Sequence, residues 1–154
     1  MAIARVRCAQ TSDRDALARM RASLWPETSA EEHGRELDAL FSGTTMSTLP
    51  VVTFVSYLED GTVVGFLEAG LRSHADGCDT THAVGYVEGW FVQEPYRNQG
   101  IGRELLRATE DWARTQGCRE MASDALVDNE PSQRAHQALG FEVVDRCVHF
   151  RKNI

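Results

Sequence analysis

Between Arg97 and Gly102 the chain reads Arg-Asn-Gln-Gly-Ile-Gly, two glycines one residue apart with an arginine three positions before the first. They stand where a strand-like run ending at Val92 gives way, past Pro95 and Tyr96, to an apolar stripe of Ile101, Leu105, Ala108 and Trp112 at helical spacing. Glycines in the first turn of a helix leave bare the N–H groups that have no intrahelical acceptor, and those groups, with the helix dipole, attract an anion. Arg97 and Arg103 add positive potential there. The chemistry this suits is main-chain capture of a pyrophosphate, the anchor of a ligand such as coenzyme A. Two glycines near a helix start also occur without any function. The preceding strand, proline, aromatic and arginine narrow the reading. No G-K-[ST] follows and the spacing is not G-x-G-x-x-G, so neither a Walker A loop nor a Rossmann fingerprint is present.

A second set of residues carries acid, base or binding chemistry. Glu88 lies inside the apolar run from His82 to Val92. A carboxylate there is costly to bury without a partner, which marks it as a functional candidate. Asp124 follows a short strand-like segment and reads either as a pocket acid or as a turn cap. Trp25, just before Pro26, reads either as a pocket wall or as a core aromatic at a helix end. His74 and Asp145, on sequence grounds alone, read as solvated residues. His74, Asp76, Cys78, Asp79 and His82 share one loop, but their spacing matches no standard ligand pattern, so no metal site is expected. The four cysteines, Cys8, Cys78, Cys118 and Cys147, include no C-x-x-C pair and read as reduced packing residues.

The elements that must position these groups follow from periodicity and punctuation. Ile3 to Cys8 reads as a strand. Ser12 and Asp15 form an S-x-x-D capping signal ahead of Leu17, Met20 and Leu24, and Ser29 with Glu32 repeats it ahead of Leu37, Leu40 and Phe41. Val51 to Leu58 and Thr62 to Arg72 read as a hairpin around Glu59-Asp60-Gly61. His82 to Val92 is a third strand, and Gly85 and Gly89 within it signal a bulge. Arg119 to Ser123 reads as a strand, Pro131 to Leu139 as a helix and Phe141 to Phe150 as a final strand. The expected class is a mixed α/β sheet flanked by helices, one domain over residues 1–154.

Bulk composition excludes some functions. Of the 154 residues, 42% are hydrophobic and 25% charged, the balance of a globular protein. Sixteen basic and 23 acidic side chains give a net charge of −7. Nucleic acid is therefore not expected as partner, and the charge reads either as keeping the protein soluble or as steering a cationic substrate towards it. No apolar run approaches the roughly 18 residues of a membrane span, and the N-terminus lacks a signal-peptide core. A cytoplasmic protein is expected.

Arg97-x-x-Gly100-x-Gly102, together with Asn129-x-x-Ser132-(x)7-Gly140-Phe141, resembles the two signatures of the GNAT acetyltransferases, in an element order that covers essentially the whole chain. Leu24-Trp25-Pro26, Gly77-Cys78-Asp79, Val87-Glu88-Gly89, the run from Cys118 to Asp124 and the run from His136 to Glu142 further resemble the aminoglycoside 6'-N-acetyltransferases. The resemblance implies the GNAT fold, with mostly antiparallel strands, acetyl-CoA as co-substrate and no metal. It implies that amides of Asn98, Gln99, Gly100, Ile101, Gly102 and Arg103 hold the pyrophosphate. The strand backbone at Trp90, Phe91 and Val92 pairs with the pantetheine arm, and Asn129 hydrogen-bonds near that arm. It also implies that Trp25, His74, Glu88, Asp124 and Asp145 bind the amino sugar, with Glu88 as base, and that the protein is a homodimer. At His74 and Asp145 related enzymes carry tyrosine and glutamate. Many GNAT enzymes have a tyrosine acid where this chain has His136, which is read here either as the acid or as packing against the CoA arm. Other acceptors in the same fold, such as a polyamine, a small metabolite or a protein amine, stand as alternatives, with a non-catalytic CoA-binding module behind them.

Overall fold

The structure is a computed structural model that describes residues 3–45 and 47–154. Strand β1 (Arg5–Cys8) leads through a 3-10 turn (Thr11–Asp13) into helix α1 (Arg14–Leu24), and α2 (Ala30–Ser42) follows. Three longer strands come next, β2 (Val51–Tyr57), β3 (Val63–Arg72) and β4 (Val84–Val92). A second 3-10 turn (Glu94–Tyr96) precedes α3 (Ile101–Thr115), and β5 (Met121–Ser123) and α4 (Glu130–Ala138) complete the order. The strands form one sheet in sequence order, antiparallel throughout except for the β4–β5 pair.

Two apolar layers sandwich the sheet. Leu17, Met20 and Leu37 from α1 and α2 pack on Val55, Val63 and Phe66. On the other face Ile101, Leu105 and Leu106 from α3 pack on Phe54, Leu67, Ala69 and Val87. The period-two alternation along β2 and β3 is what sends neighbours such as Phe66 and Leu67 to opposite layers. Ala108 and Trp112, expected on the α3 stripe, are partly buried at its margin.

Turn chemistry is as read in two places. Ser29 and Glu32 make a reciprocal capping box at α2, and Gly61 takes a φ of +87° in the β2–β3 hairpin. At α1 the cap differs from expectation. Asp13, not the Ser12–Asp15 pair, accepts from the Gln10 N–H at 2.7 Å and pairs with Arg7 at 2.7 Å. The chain leaves β1 straight into a 3-10 turn, so the donor needing an acceptor lies two residues earlier than the sequence signal put it.

The expected final strand is absent. No regular structure is assigned to residues 141–154, which leaves β5 paired only with β4. Val143, Val144, Val148, Phe150 and Ile154 are exposed. β-propensity in this segment is real, but within one chain no backbone ladder meets it.

Candidate functional site

The register of β3 against β4 shifts at one point. Glu68 faces Gly89 and Ala69 faces Val87, so Glu88 is the extra residue of a β-bulge. A bulge bends its strand and re-aims the unpaired side chain. Beyond it β4 diverges from β5, whose parallel pairing runs only from Gly85–Met121 to Val87–Ser123. From Glu88 to Val92 the edge of β4 facing away from β3 therefore has no strand partner. This is the place where an extended ligand can add itself as a strand.

At the end of that edge lies the glycine turn. Asn98 and Gly100 both have positive φ, +59° and +84°, and Gly100 caps α3. Among the described residues no protein group accepts from the N–H groups of Asn98, Gln99, Gly100, Ile101, Gly102 and Arg103. Six successive unpaired donors at a helix start are an arrangement that can take an anion. A Cβ on Gly100 would meet nothing within 4 Å, so that residue is required for its left-handed backbone. Gly102 instead makes room for the Trp90 indole, which would lie 3.2 Å from its Cβ. Arg97 keeps its charge beside the turn: its Nε donates to the Val92 carbonyl at 2.8 Å, tying the turn to the strand end, while Arg103 stays free of any protein partner among the described residues.

Glu88 is not buried, contrary to the argument from its apolar strand. The bulge turns it out until 45% of its side chain is exposed, and it is paired. Arg72 donates from Nε and Nη2 to Oε1 at 3.2 and 3.0 Å, and from Nη2 to Oε2 at 3.0 Å. The same guanidinium stacks 3.4 Å from the centroid of the Tyr86 ring. The Tyr86 hydroxyl in turn donates to Asp124 Oδ2 at 2.6 Å. Burial, and then the bond to Asp124, push the Tyr86 phenol well above its usual range, so it remains a donor. Asp124 is thus anchored just past β5, at the hydroxyl end of the ring whose face Arg72 covers.

Trp25 stands against the bulge. Its indole lies over Gly89, where a Cβ would come within 2.5 Å of the ring, and touches Phe66 and His33 at centroid distances of 6.4 and 6.0 Å. Behind it Arg21 donates to both oxygens of Glu68 at 2.6 and 2.8 Å, and both side chains of that pair are only 11% exposed. Burial disfavours the Arg21 charge, but the bonds to Glu68 outweigh it and hold the guanidinium charged. Glu88 is therefore linked to Asp124 through Arg72 and Tyr86, and Trp25 lies over Gly89, the chain neighbour of Glu88. His74 and Asp145 lie outside these contacts: both are exposed, and their polar contacts are with the adjacent residues Ser73 and Arg146. Val144 packs against Gly77, which puts Asp145 beside the loop that carries His74.

His136 faces the strand edge from α4. Its Nδ1 meets the Ser132 carbonyl at 2.7 Å, so Nδ1 carries the proton, and Nε2 accepts from the Ser123 hydroxyl at 2.8 Å. The ring is held edge-on between Trp90 and Phe141, at centroid distances of 5.3 and 5.2 Å. A neutral ring has no proton to give at Nε2, so donation runs through an imidazolium or through Ser123. Asn129 caps α4, accepting from the Ser132 N–H at 3.2 Å, and its amide NH2 has no protein partner among the described residues. Arg72, Tyr86 and Ser123 were missed by sequence reasoning. Nothing in spacing links Arg72 to Glu88 or Tyr86 to Asp124, because sheet register alone joins them.

A free strand edge ending in a run of unpaired N–H groups, beside two carboxylates, suits an enzyme that presents an acyl-CoA to an amine. The Acetyltransferase (GNAT) family model matches residues 15–141, and the chain belongs to that family. It is 37% identical over 147 residues to an aminoglycoside N(6')-acetyltransferase type 1 of Klebsiella aerogenes, covering 96% of this chain and 95% of that one. With the Serratia marcescens enzyme of the same name it shares 36% identity over 91% of this chain and 92% of that one. Among solved structures, AAC(6')-Iy in complex with the bisubstrate analog CoA-S-monomethyl-acetylneamine superposes with a TM-score of 0.87 at 30% identity, covering 99% of this chain and 100% of that chain. AAC(6')-Ih from Acinetobacter baumannii gives 0.86 at 32%, with 99% of each chain covered. Acetyl-CoA is the co-substrate.

Proposed function

We propose that this protein transfers the acetyl group of acetyl-CoA to the 6'-amine of aminoglycoside antibiotics, and so confers resistance to them. The carrying observation is the juxtaposition of the open β4 edge with Glu88, Asp124 and Trp25, in a chain that aligns with 6'-N-acetyltransferases over nearly its whole length. An aminoglycoside is a polycation built on sugar rings. Carboxylates at Glu88 and Asp124 meet its ammonium groups, and the Trp25 indole offers a flat face to a ring. His74 and Asp145, at the neighbouring loop and C-terminal segment, extend the acceptor pocket.

Acetyl-CoA is held by the N–H groups from Asn98 to Arg103 on its pyrophosphate and by the backbone at Trp90, Phe91 and Val92 on its pantetheine arm. The free amide of Asn129 adds to the grip on that arm. The 6'-amine arrives protonated, and Glu88 takes its proton directly or through a water. The neutral amine attacks the thioester carbonyl in a ternary complex, and backbone N–H groups around Phe91 stabilise the oxyanion. The departing thiolate needs a proton or a hydrogen bond, and His136 with Ser123 is the candidate donor. A His136→Ala enzyme with unchanged turnover across pH would remove it from that role.

We further propose a homodimer joined through the C-terminal segment. The apolar side chains exposed beyond Phe141 and the groove of about 490 Å³ along β5, lined in part by Ala113, Cys118, Met121 and Leu139, support it. Monomer mass by light scattering at working concentrations overturns the dimer. Dependence on acetyl-CoA, and four cysteines that form no disulfide, support a cytoplasmic enzyme.

The test is a thiol-release assay with acetyl-CoA against kanamycin, tobramycin, spermidine and a lysine peptide, with the product mapped by NMR. Acetylation confined to the 6'-amine of the drugs is expected. Turnover of spermidine or peptide alone overturns the acceptor and keeps the donor. No turnover of any amine, with tight CoA binding, favours a binding module instead.

A further inference from the structure

Arg72 is a cation in a site that receives cations, and its placement needs a reason. A guanidinium beside Glu88 repels an incoming ammonium and competes for the same carboxylate, so a purely binding site would do without it. Its geometry is that of a fixed part. One side of it makes three hydrogen bonds to Glu88, and its plane is stacked on Tyr86. A planar, five-donor group held on both sides loses little freedom per bond, which is why arginine rather than lysine serves such positions. Glu88 needs a clamp because it is the unpaired residue of a bulge, exposed and without a ladder neighbour to orient it. Tyr86 cannot turn away either, since its hydroxyl is bound to Asp124.

We propose that Arg72 is a positioning residue that clamps the Glu88 carboxylate, and that Tyr86 yokes this clamp to Asp124, so the base and the second acidic group keep a fixed relative placement. Glu88 retains acceptor capacity for the amine, because a carboxylate offers about four lone-pair sites and three are engaged. The division of labour is asymmetric. Arg72 acts through Glu88 and hence on turnover, whereas the Tyr86 hydroxyl acts through Asp124 and hence on acceptor binding.

The inference rests on the acetylation of aminoglycosides for its kinetic half only. In the free protein, the Arg72 Nε–H resonance should exchange with water at least about tenfold more slowly than that of free arginine, as a made charge-assisted hydrogen bond requires. Glu88→Gln and Tyr86→Leu should each release it. In steady-state assays with tobramycin, Arg72→Met should lower kcat about tenfold with little change in acceptor KM, and Arg72→Lys should recover only part of the loss. Tyr86→Phe, which keeps the ring face, should raise acceptor KM more than it lowers kcat. Glu88→Gln combined with Arg72→Met should be no slower than Glu88→Gln alone. An Nε–H that exchanges like free arginine, or losses that add in the double variant, overturns the clamp. A protected Nε–H in a wild-type protein that acetylates no aminoglycoside overturns the acceptor assignment and leaves the clamp standing.

Discussion

From Asn98 to Arg103 the molecule offers main-chain N–H groups on six successive residues. Around Glu88 it offers side chains from positions 25, 72, 86, 88 and 124, carried by the end of α1, by β3, by β4 and by the end of β5. The donor end is local and made of backbone, and depends on two positive-φ residues and one indole packed on a glycine. The acceptor end is assembled from remote segments and depends on register, a bulge and paired charges. A grip made of backbone tolerates changes of side chain but not of conformation. In the proposed function, a pocket made of side chains responds to single substitutions at each contributing element, and acceptor choice follows from them.

Substitutions can break this contrast. The largest effect is expected at the acceptor end, where Glu88→Gln should cut kcat about 10³-fold with acetyl-CoA KM little changed. Normal kcat with normal pH dependence would exclude Glu88 as base. Arg21→Met leaves Glu68 buried without its partner and should cost about 3 kcal/mol of stability, measured by denaturant unfolding. Its acceptor kinetics should suffer as well, because Trp25 leans on that pair, with Arg21 Cζ 5.8 Å from the ring centroid. At the donor end, Gly100→Ala should raise the acetyl-CoA KM about tenfold through roughly 1–2 kcal/mol of left-handed backbone strain. An acceptor KM that moved equally would blur the two regions into one.

The smallest effect lies outside both. At Asp13 burial opposes ionisation, but bonds from Arg7 and the Gln10 N–H outweigh it and hold the carboxyl below the usual range. A depressed folded pKa contributes stability that is present above the unfolded value, about pH 4, and is lost as pH falls through the folded one. Thermal melts of wild type should therefore show a fall below about pH 4 that is shallower in Asp13→Asn. Identical acid limbs would remove Asp13 from the account.

The donor end was legible from one segment, because a helix start with two glycines states its own geometry. Even there the two glycines divide their work, and only packing shows that Gly102 accommodates Trp90. Glu88 was found for a reason the structure corrects: it is a candidate not as a buried charge but as an exposed one, re-aimed by a bulge. The bulge itself was signalled by Gly85 and Gly89, although neither is its extra residue. The segment from Phe141 to Phe150 reads as a final strand and is not formed, since a strand needs a ladder as well as suitable residues.

The sequence by itself determined the order of elements as far as α4 and the glycine turn ahead of α3, because periodicity, turn chemistry and glycine conformation are each written within a few residues. Only the tertiary structure decided that Arg72 clamps Glu88, that Tyr86 reaches Asp124 across 38 positions and that Trp25 leans on Gly89. Those contacts depend on strand register and on how far β4 bends at its bulge, and no local pattern in a chain encodes which distant residue a side chain will meet.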